Sequence, residues 1–345
     1  MLHTTKLTGT TSEGLPMTIT LEVEQPDPPP LPVGPPTPLT VIGTNVNTPD
    51  LGLLAPGGRN AGSRFVRTFS APGQAILPWS VGKRAVPTGV VDFHSWKDWP
   101  SDTDAVALVT RMLDTMPAQL LADEPLLPEL GIYDPDGYSD GQPECDGISF
   151  LVTYFHEGEP DFIRAGLTAA EWRRRHRLVY RTIRQHHNGR RVAYVPIQTL
   201  TWTDAVSTPT NPKGDRDPVA WWAGVGDYAG WDCYAPSVTT KPPAPGLYPP
   251  PAKFLTVPLD GARATGRQLF VPELGVIRQG APVDLGAFRA AWMVQVAAYL
   301  ADQGTAGVGW WDAVGNPTST SPARDFRLVD SPSRAAWQEI IAGRY

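Results

Sequence analysis

The sequence predicts a (β/α)8 barrel that follows a short β arm and a proline-rich linker. From residue 40 onward, short runs rich in β-branched and aromatic residues alternate with longer stretches of helical periodicity, a pattern typical of parallel βαβ units. Eight such runs in roughly 275 residues suit a (β/α)8 barrel, whose usual size is about 250 residues. A doubly wound open sheet is the competing interpretation. Residues 41–45 are not followed by the glycine-rich phosphate loop that such a sheet usually carries.

The N-terminal arm covers residues 1–25. Apolar and polar residues alternate over residues 17–23, which predicts a strand, and the threonine-rich stretch before it is a candidate hairpin partner. A hairpin of this size needs a further surface to pack against. That surface is either another protein of a larger assembly or the chain's own barrel, and both interpretations remain open.

The linker covers residues 26–38, in which eight of thirteen residues are proline. This composition predicts an extended polyproline II spacer. The barrel is assigned to residues 39–345. Its eight candidate strands are residues 39–47, 63–70, 89–96, 148–157, 191–200, 230–236, 267–275 and 307–313.

Three helices are predicted between the strands, at residues 102–116, 167–189 and 285–304. The first begins with Asp102 or Asp104 as its N-cap. In the second, Thr168 and Glu171 have the spacing of a capping box.

Composition and charge exclude several classes of function. The chain is 41% apolar and 19% charged, with a net charge of −6, whereas a nucleic-acid-binding domain is normally basic. There is no run of 18 apolar residues for a membrane-spanning helix and no apolar segment of a secretory signal at the start. Cys145 and Cys233 are too few for a four-ligand zinc site, and whether they pair is left open. We therefore expect no metal and no cofactor.

Catalytic groups of (β/α)8 barrels project from the carboxyl ends of the strands. The side chains near the predicted ends that could carry chemistry are Arg67, His94, Trp96, His156, Glu157, Trp202, Asp232, Tyr234, Glu273, Trp310 and Trp311. Paired carboxylates with aromatic neighbours suit sugars, because rings stack on the apolar sugar faces while carboxylates handle protons and an oxocarbenium-like centre. Asp232 and Tyr234 share one side of their strand, and Cys233 points to the other, into the core.

Glu157 and Glu273 are the candidate catalytic pair. Each follows an apolar run, and the ends of strands four and seven face each other across the mouth of a closed barrel. This geometry allows a carboxyl separation of about 5–5.5 Å, the distance of a retaining glycosidase. Either glutamate alone would more often be a solvated loop residue, but two of them behind buried strands favour a catalytic role.

Several segments resemble glycoside hydrolase family 26, a member of clan A of the retaining glycosidases. Residues 154–157 (Tyr-Phe-His-Glu) resemble its strand-four signature, and residues 270–275 resemble its strand-seven nucleophile segment. Residues 227–234 resemble the strand-six segment, residues 309–311 resemble the strand-eight tryptophan segment, and Arg67 matches the strand-two arginine of the clan.

The resemblance implies a role for each matching residue. His156 and Glu157 would carry the acid/base, Glu273 would be the nucleophile, and Tyr234 would contact it. The strand-eight tryptophan would form the floor of the sugar site. The other candidates, including Trp202, are expected to bind substrate.

The sequence therefore predicts a retaining glycoside hydrolase acting on a polysaccharide of a cell envelope or another bacterial glycan. The alternative is a non-catalytic carbohydrate-binding or structural module of a virion tail, because a fold alone does not establish activity. A polysaccharide-degrading enzyme normally works outside the cell, and a bacteriophage tail protein reaches the host envelope without a secretory signal. On this hypothesis the arm attaches the barrel to other tail proteins; a cytoplasmic glycosidase is the alternative.

Overall fold

The computed structural model describes residues 2–10, 16–24, 39, 41–45, 54, 56, 58–70, 89–116, 124–132, 146–156, 166–199, 222–235, 248–277, 286–314 and 325–345. The chain divides into two compact units, Met1–Val33 and Gly34–Tyr345. Within the described ranges, no helix combines the length and the apolar character needed to cross a bilayer.

The first unit contains a β-hairpin. Strand β1 (Leu2–Thr10) pairs antiparallel with β2 (Pro16–Glu24), in a register that sets Leu2 opposite Glu24 and Thr10 opposite Pro16. The alternation of residues 17–23 thus falls within a strand, and the threonine-rich segment is its partner.

The second unit contains the remaining strands and all the helices of the described residues. The strands are β3 (Val41–Asn45), β4 (Phe65–Phe69), β5 (Val91–Trp96), β6 (Leu127–Gly131), β7 (Asp146–Ile148), β8 (Phe150–Tyr154), β9 (Val192–Tyr194), β10 (Ile197–Thr199), β11 (Ala229–Tyr234), β12 (Leu269–Gly275) and β13 (Gly307–Trp311). The α-helices are α1 (Asp102–Asp114), α2 (Ala169–Gln185), α3 (Pro251–Ala264), α4 (Ala287–Asp302) and α5 (Ser331–Ile341), and a short 3-10 helix covers His187–Arg191. Strands β6 and β7 form a small antiparallel pair of their own.

The other strands form one parallel sheet that closes into a ring. Their order is β10-β11-β12-β13-β3-β4-β5-β8-β9, and the two ends of this order are consecutive pieces of a single strand, interrupted at Val195 and Pro196. The amide of Val195 donates to the carbonyl of Val152 in β8 at 3.0 Å, and the amide of Gly230 in β11 donates to the carbonyl of Pro196 at 2.9 Å. This strand therefore joins β8 to β11. The predicted (β/α)8 barrel is confirmed, and Pro196, which has no amide hydrogen, lies at the interruption.

The helix caps only partly follow the sequence prediction. The side chain of Thr168 accepts from the amide of Glu171 at 3.2 Å at the start of α2, which is one half of the predicted capping box. The other half is replaced, because the carboxylate of Glu171 pairs with Arg174 and Arg175. At the start of α1, Ser101 is the N-cap, accepting from the amide of Asp104 at 3.1 Å, so the assignment of an aspartate as cap was wrong.

Two helices, α3 and α5, were not predicted. Helix α3 begins at Pro251, the last residue of a proline cluster, and contains Pro258. Proline suits the first turn of a helix, where its missing amide hydrogen is not needed.

Three phenylalanine rings identify the inner face of the barrel. Phe65, Phe93 and Phe270 come from β4, β5 and β12, yet their ring centroids lie 5.5–6.0 Å apart. Side chains from such separate strands meet only inside the ring. We call this side of each strand the inner face; the outer face packs against the helices.

Candidate active site

Arg67, Asp232 and Glu273 form a buried ionic cluster on the inner face. Arg67 lies two residues beyond Phe65 on β4, so alternation keeps it on the inner face, nearer the carboxyl end. Its Nη1 lies 2.6 Å from Oε1 of Glu273 and 2.9 Å from Oδ1 of Asp232. Strands β4 and β11 are four steps apart in the ring, so Arg67 reaches the carboxylates across the barrel interior.

A β-bulge aims Glu273 into the barrel. Strict alternation from Phe270 would put Glu273 on the outer face, but the pairing of β12 with β11 shifts between these residues. Phe270 lies opposite Gly230 and Glu273 lies opposite Asp232, so three steps of β12 match two steps of β11. Bulges of this kind redirect a side chain, and here the carboxylate turns inward, where it is only 4% exposed.

Tyr234 completes the environment of Glu273. It lies two residues beyond Asp232 on the same face of β11, and its hydroxyl donates to Oε2 of Glu273. Arg67 binds the other oxygen of this carboxylate. Both oxygens of Glu273 are therefore held by donors, which fixes the orientation of the carboxylate.

A left-handed residue turns the chain at the end of β8. Phe155 has φ of 49°, a conformation that costs a bulky residue of the order of 1–3 kcal/mol. Its ring packs outward, 6.5 Å from that of Trp172, while the next residue, His156, turns toward the inner face. The Nδ1 atom of His156 is hydrogen-bonded to the hydroxyl of Ser95, and its ring lies 5.0 Å from that of Phe69.

His156 is uncharged near neutral pH. Burial is the largest cause that lowers its pKa well below the ordinary value, and the charges of Arg67 and Lys97 lower the pKa further. A neutral imidazole offers one donor and one acceptor. With Nδ1 bound to Ser95, His156 keeps a second ring nitrogen for polar contact without bringing a positive charge to Glu273.

Glu157 follows His156 directly in the sequence, but it lies outside the described residues, as do Trp202 and Cys145. The predicted separation of the Glu157 and Glu273 carboxyls therefore stays a prediction.

The structure corrects the assignment of His94 and Trp96 as substrate contacts. Both lie on the outer face of β5, opposite in direction to Phe93. The ring nitrogens of His94 are each 2.8 Å from a hydroxyl, of Thr68 and of Ser70, and burial lowers its pKa to about 3. Trp96 is 2% exposed and packs 5.7 Å from the ring of Tyr154. Both residues are near a strand end, but they face the helices.

The assignment of Trp310 as a substrate contact is also wrong, because this residue lies on the outer face. Its side chain is fully buried on the outer face of β13, where Nε1 donates to the carbonyl of Phe326 at 3.0 Å and the ring lies 5.9 Å from that of Trp337 in α5. The next residue, Trp311, is on the inner face and half-buried, with its ring 6.2 Å from that of Phe69. Of the two tryptophans, Trp311 is therefore the one on the inner face, near Phe69.

Phe69 is a site residue that the sequence reasoning missed. It is half-buried at the end of β4, between His156 and Trp311, and the guanidinium carbon of Arg67 lies 5.1 Å from its ring centroid. The inward positions Phe65 and Arg67 are four and two residues before it, and this alternation could have identified it. Phe69, His156 and Trp311 together form what we call the aromatic wall.

Cys233 lies buried on the outer face of β11, as alternation predicted. Among the residues that the structure describes, His, Cys, Asp and Glu side chains form no cluster of three suited to a metal ion.

No protein-family model matches the chain, and no curated protein matches its sequence. Solved structures are similar in fold. A GH5-4 broad-specificity endoglucanase from Clostridium longisporum is 10% identical, with a TM-score of 0.54, and the match covers 89% of this chain and 97% of the endoglucanase chain. A glucosidase from Croceicoccus marinus is 14% identical, with a TM-score of 0.50, and the match covers 90% of this chain and 68% of the glucosidase chain.

A third structure, GH26C from a Muricauda species, is 9% identical with a TM-score of 0.48, and the match covers 89% of this chain and 86% of that protein. At these identities the comparisons show the barrel fold of glycoside hydrolases and nothing about the reaction.

Proposed function

We propose that this protein is a retaining glycoside hydrolase acting on a polysaccharide, with Glu273 as the nucleophile and Glu157 as the acid/base. One observation carries the proposal: a buried carboxylate at the carboxyl end of β12 is turned into the barrel by a bulge and held at both oxygens by Arg67 and Tyr234. A carboxylate fixed in this way is oriented before substrate arrives, which lowers the entropic part of the barrier.

The chemistry proceeds in two displacement steps. In the first, an oxygen of Glu273 bonds to the anomeric carbon, the glycosidic C–O bond breaks, and Glu157 gives its proton to the leaving oxygen. In the second, water loses a proton to Glu157 and attacks the same carbon, and the bond to Glu273 breaks. Two displacements on one carbon retain its configuration. This mechanism predicts that the two carboxyl groups lie about 5–5.5 Å apart, whereas about 6.5–9.5 Å would favour inversion.

The aromatic wall suits the sugar that this mechanism needs. Phe69 and Trp311 are half-buried beside the ionic cluster, where their rings can cover the apolar face of a pyranose. Neutral His156 can hydrogen-bond a sugar hydroxyl. The two fold neighbours above are named as a glucosidase and an endoglucanase, and the proposed class of reaction is the one those names carry.

The test is hydrolysis of a panel of polysaccharides, including β-glucans, β-mannan, xylan and bacterial envelope polysaccharides. The release of reducing ends measures the rate of hydrolysis. Glu273→Gln should lower turnover by about a thousandfold or more, because it removes the nucleophile while keeping the side-chain shape. Glu157→Gln should also lose activity on substrates with poor leaving groups. The matched control is Glu129→Gln, a change in an exposed residue of β6 paired with Arg64, which should retain wild-type activity.

The anomer first released, observed by proton NMR, should have the configuration of the substrate. An inverted product, or full activity in Glu273→Gln, would contradict the proposal. Binding to a glycan of the panel without any turnover would instead support the non-catalytic carbohydrate-binding module.

A further inference from the structure

We propose that Asp232 is a positioning residue that shares Arg67 with Glu273 and so lets Glu273 give up its charge during the reaction. The inference rests on the proposed role of Glu273 as nucleophile. Asp232 was predicted from the sequence to bind substrate, but its side chain has no exposed surface and binds Arg67. Its effect on the reaction is therefore transmitted through Arg67.

The register of the sheet places two carboxylates side by side. Asp232 lies directly opposite Glu273 on neighbouring strands, where like charges repel. A single nitrogen of Arg67 serves both groups. Nη1 is 2.6 Å from Glu273 Oε1 and 2.9 and 3.0 Å from the two oxygens of Asp232. One cation and two anions therefore share a site from which water is nearly excluded.

The charge of this cluster changes during the first chemical step. When Glu273 bonds to the anomeric carbon, the electron pair of the broken glycosidic bond goes to the leaving oxygen, which takes the proton of Glu157. Glu273 becomes a neutral ester. The cluster then holds one cation and one anion, a balanced buried pair of Arg67 with Asp232.

Without Asp232, the balance would be reversed. Arg67 and Glu273 would form a complete ion pair before attack, and a buried Arg67 would be left without that counter-ion afterwards. Removing one partner of a buried pair is strongly unfavourable. Asp232 therefore stabilises the glycosyl-enzyme relative to the enzyme with a free nucleophile. A group that stabilises the state after attack more than the state before it lowers the barrier between them.

The test compares wild type with Asp232→Asn, which keeps the shape and removes the charge, and with Asp232→Ser, a smaller neutral residue that serves if the asparagine variant does not fold. Glutamate labelled with carbon-13 at the side-chain carboxyl reports the pKa of Glu273 by NMR, with the resonance assigned by its loss in Glu273→Gln.

We expect the pKa of Glu273 to fall by about one unit or more in both variants, because the neighbouring negative charge is removed and Arg67 is no longer shared. The acidic limb of kcat/KM should move to lower pH by the same amount, and the glycosylation step should slow about tenfold or more.

Two controls separate this role from a structural one. Asp232→Glu keeps the charge and should hold the pKa of Glu273 nearer its wild-type value than the neutral variants do. Asp260→Asn removes an exposed carboxylate of α3 and should change neither measurement. An unchanged or higher pKa of Glu273 in the neutral variants would overturn the proposal, even if their thermal stability were reduced. If the pKa falls but wild type hydrolyses no glycan, the proposed function fails while the sharing of Arg67 stands.

Discussion

Arg67 and Trp310 are both fully buried near the carboxyl ends of barrel strands, yet they belong to regions with opposite physical character. Arg67 is on the inner face, among carboxylates contributed by strands across the barrel. Trp310 is on the outer face, against Trp337 of a helix. The position of a residue along its strand determines how near it lies to the barrel mouth. The face of the strand determines whether its side chain points into the barrel or packs against the helices.

The two regions also differ in what burial does for stability. The outer face buries apolar rings, which is the main favourable contribution to folding. The inner cluster buries three charged groups, whose desolvation offsets most of their attraction. The intact cluster therefore contributes little to the free energy of unfolding, but the removal of one member lowers that free energy strongly.

The largest expected effect is therefore that of Arg67→Met. This change leaves Asp232 and Glu273 facing each other without their shared cation, and we expect the free energy of unfolding at pH 7 to fall by about 5 kcal/mol, the upper end of the range for a broken buried pair. Urea denaturation measures it. The control is Arg64→Met, since Arg64 pairs with Glu129 in a partly exposed position at 2.9 Å and should contribute less than about 1 kcal/mol. Equal losses in the two variants would show that the inner cluster is no different from a surface pair.

Neighbouring tryptophans of β13 provide the next comparison. Trp310→Ala should lower the free energy of unfolding by about 4 kcal/mol, because it leaves a cavity in the outer core. Trp311→Ala should affect stability less and raise KM for the glycan about tenfold, because its ring lies in the aromatic wall. Denaturation and steady-state kinetics on both variants give the two readouts. The reverse pattern would mean that the faces of β13 have been assigned incorrectly.

The smallest effect concerns the pH dependence contributed by His94. Burial lowers its pKa to about 3, against about 6.5 in an unfolded chain. As pH falls below about 6.5 the unfolded protein takes up this proton first, so stability is lost until the folded pKa is reached. At pH 5 the loss relative to neutral pH is about 2 kcal/mol from this group.

His94→Asn should therefore reduce the difference in unfolding free energy between pH 7 and pH 5 by about 2 kcal/mol. The comparison uses this difference, and not the absolute stability, because the substitution also alters the contacts with Thr68 and Ser70. A difference as large in the variant as in wild type would show that His94 is accessible to protons in the folded state.

The sequence predicted the barrel and the residues of its ionic cluster, but it did not predict their faces reliably. Strands of a closed barrel have apolar residues on both sides, so hydrophobic periodicity does not tell the inner from the outer face. His94, Trp96 and Trp310 were assigned to the mouth for this reason. The bulge before Glu273 depends on pairing with β11, and the turn before His156 depends on a left-handed Phe155; neither has a signature in the residue types.

The central claim is that Glu273 is the nucleophile, and covalent trapping tests it most directly. The reagent is a 2-deoxy-2-fluoro glycoside with a dinitrophenolate leaving group, of the sugar that the polysaccharide panel identifies as a substrate. A retaining enzyme forms a glycosyl ester with it. Mass spectrometry of wild type should show the addition of one fluoroglycosyl group, located by peptide mapping on Glu273, and no addition in Glu273→Gln. An adduct on another residue, or the same adduct in Glu273→Gln, would contradict the account.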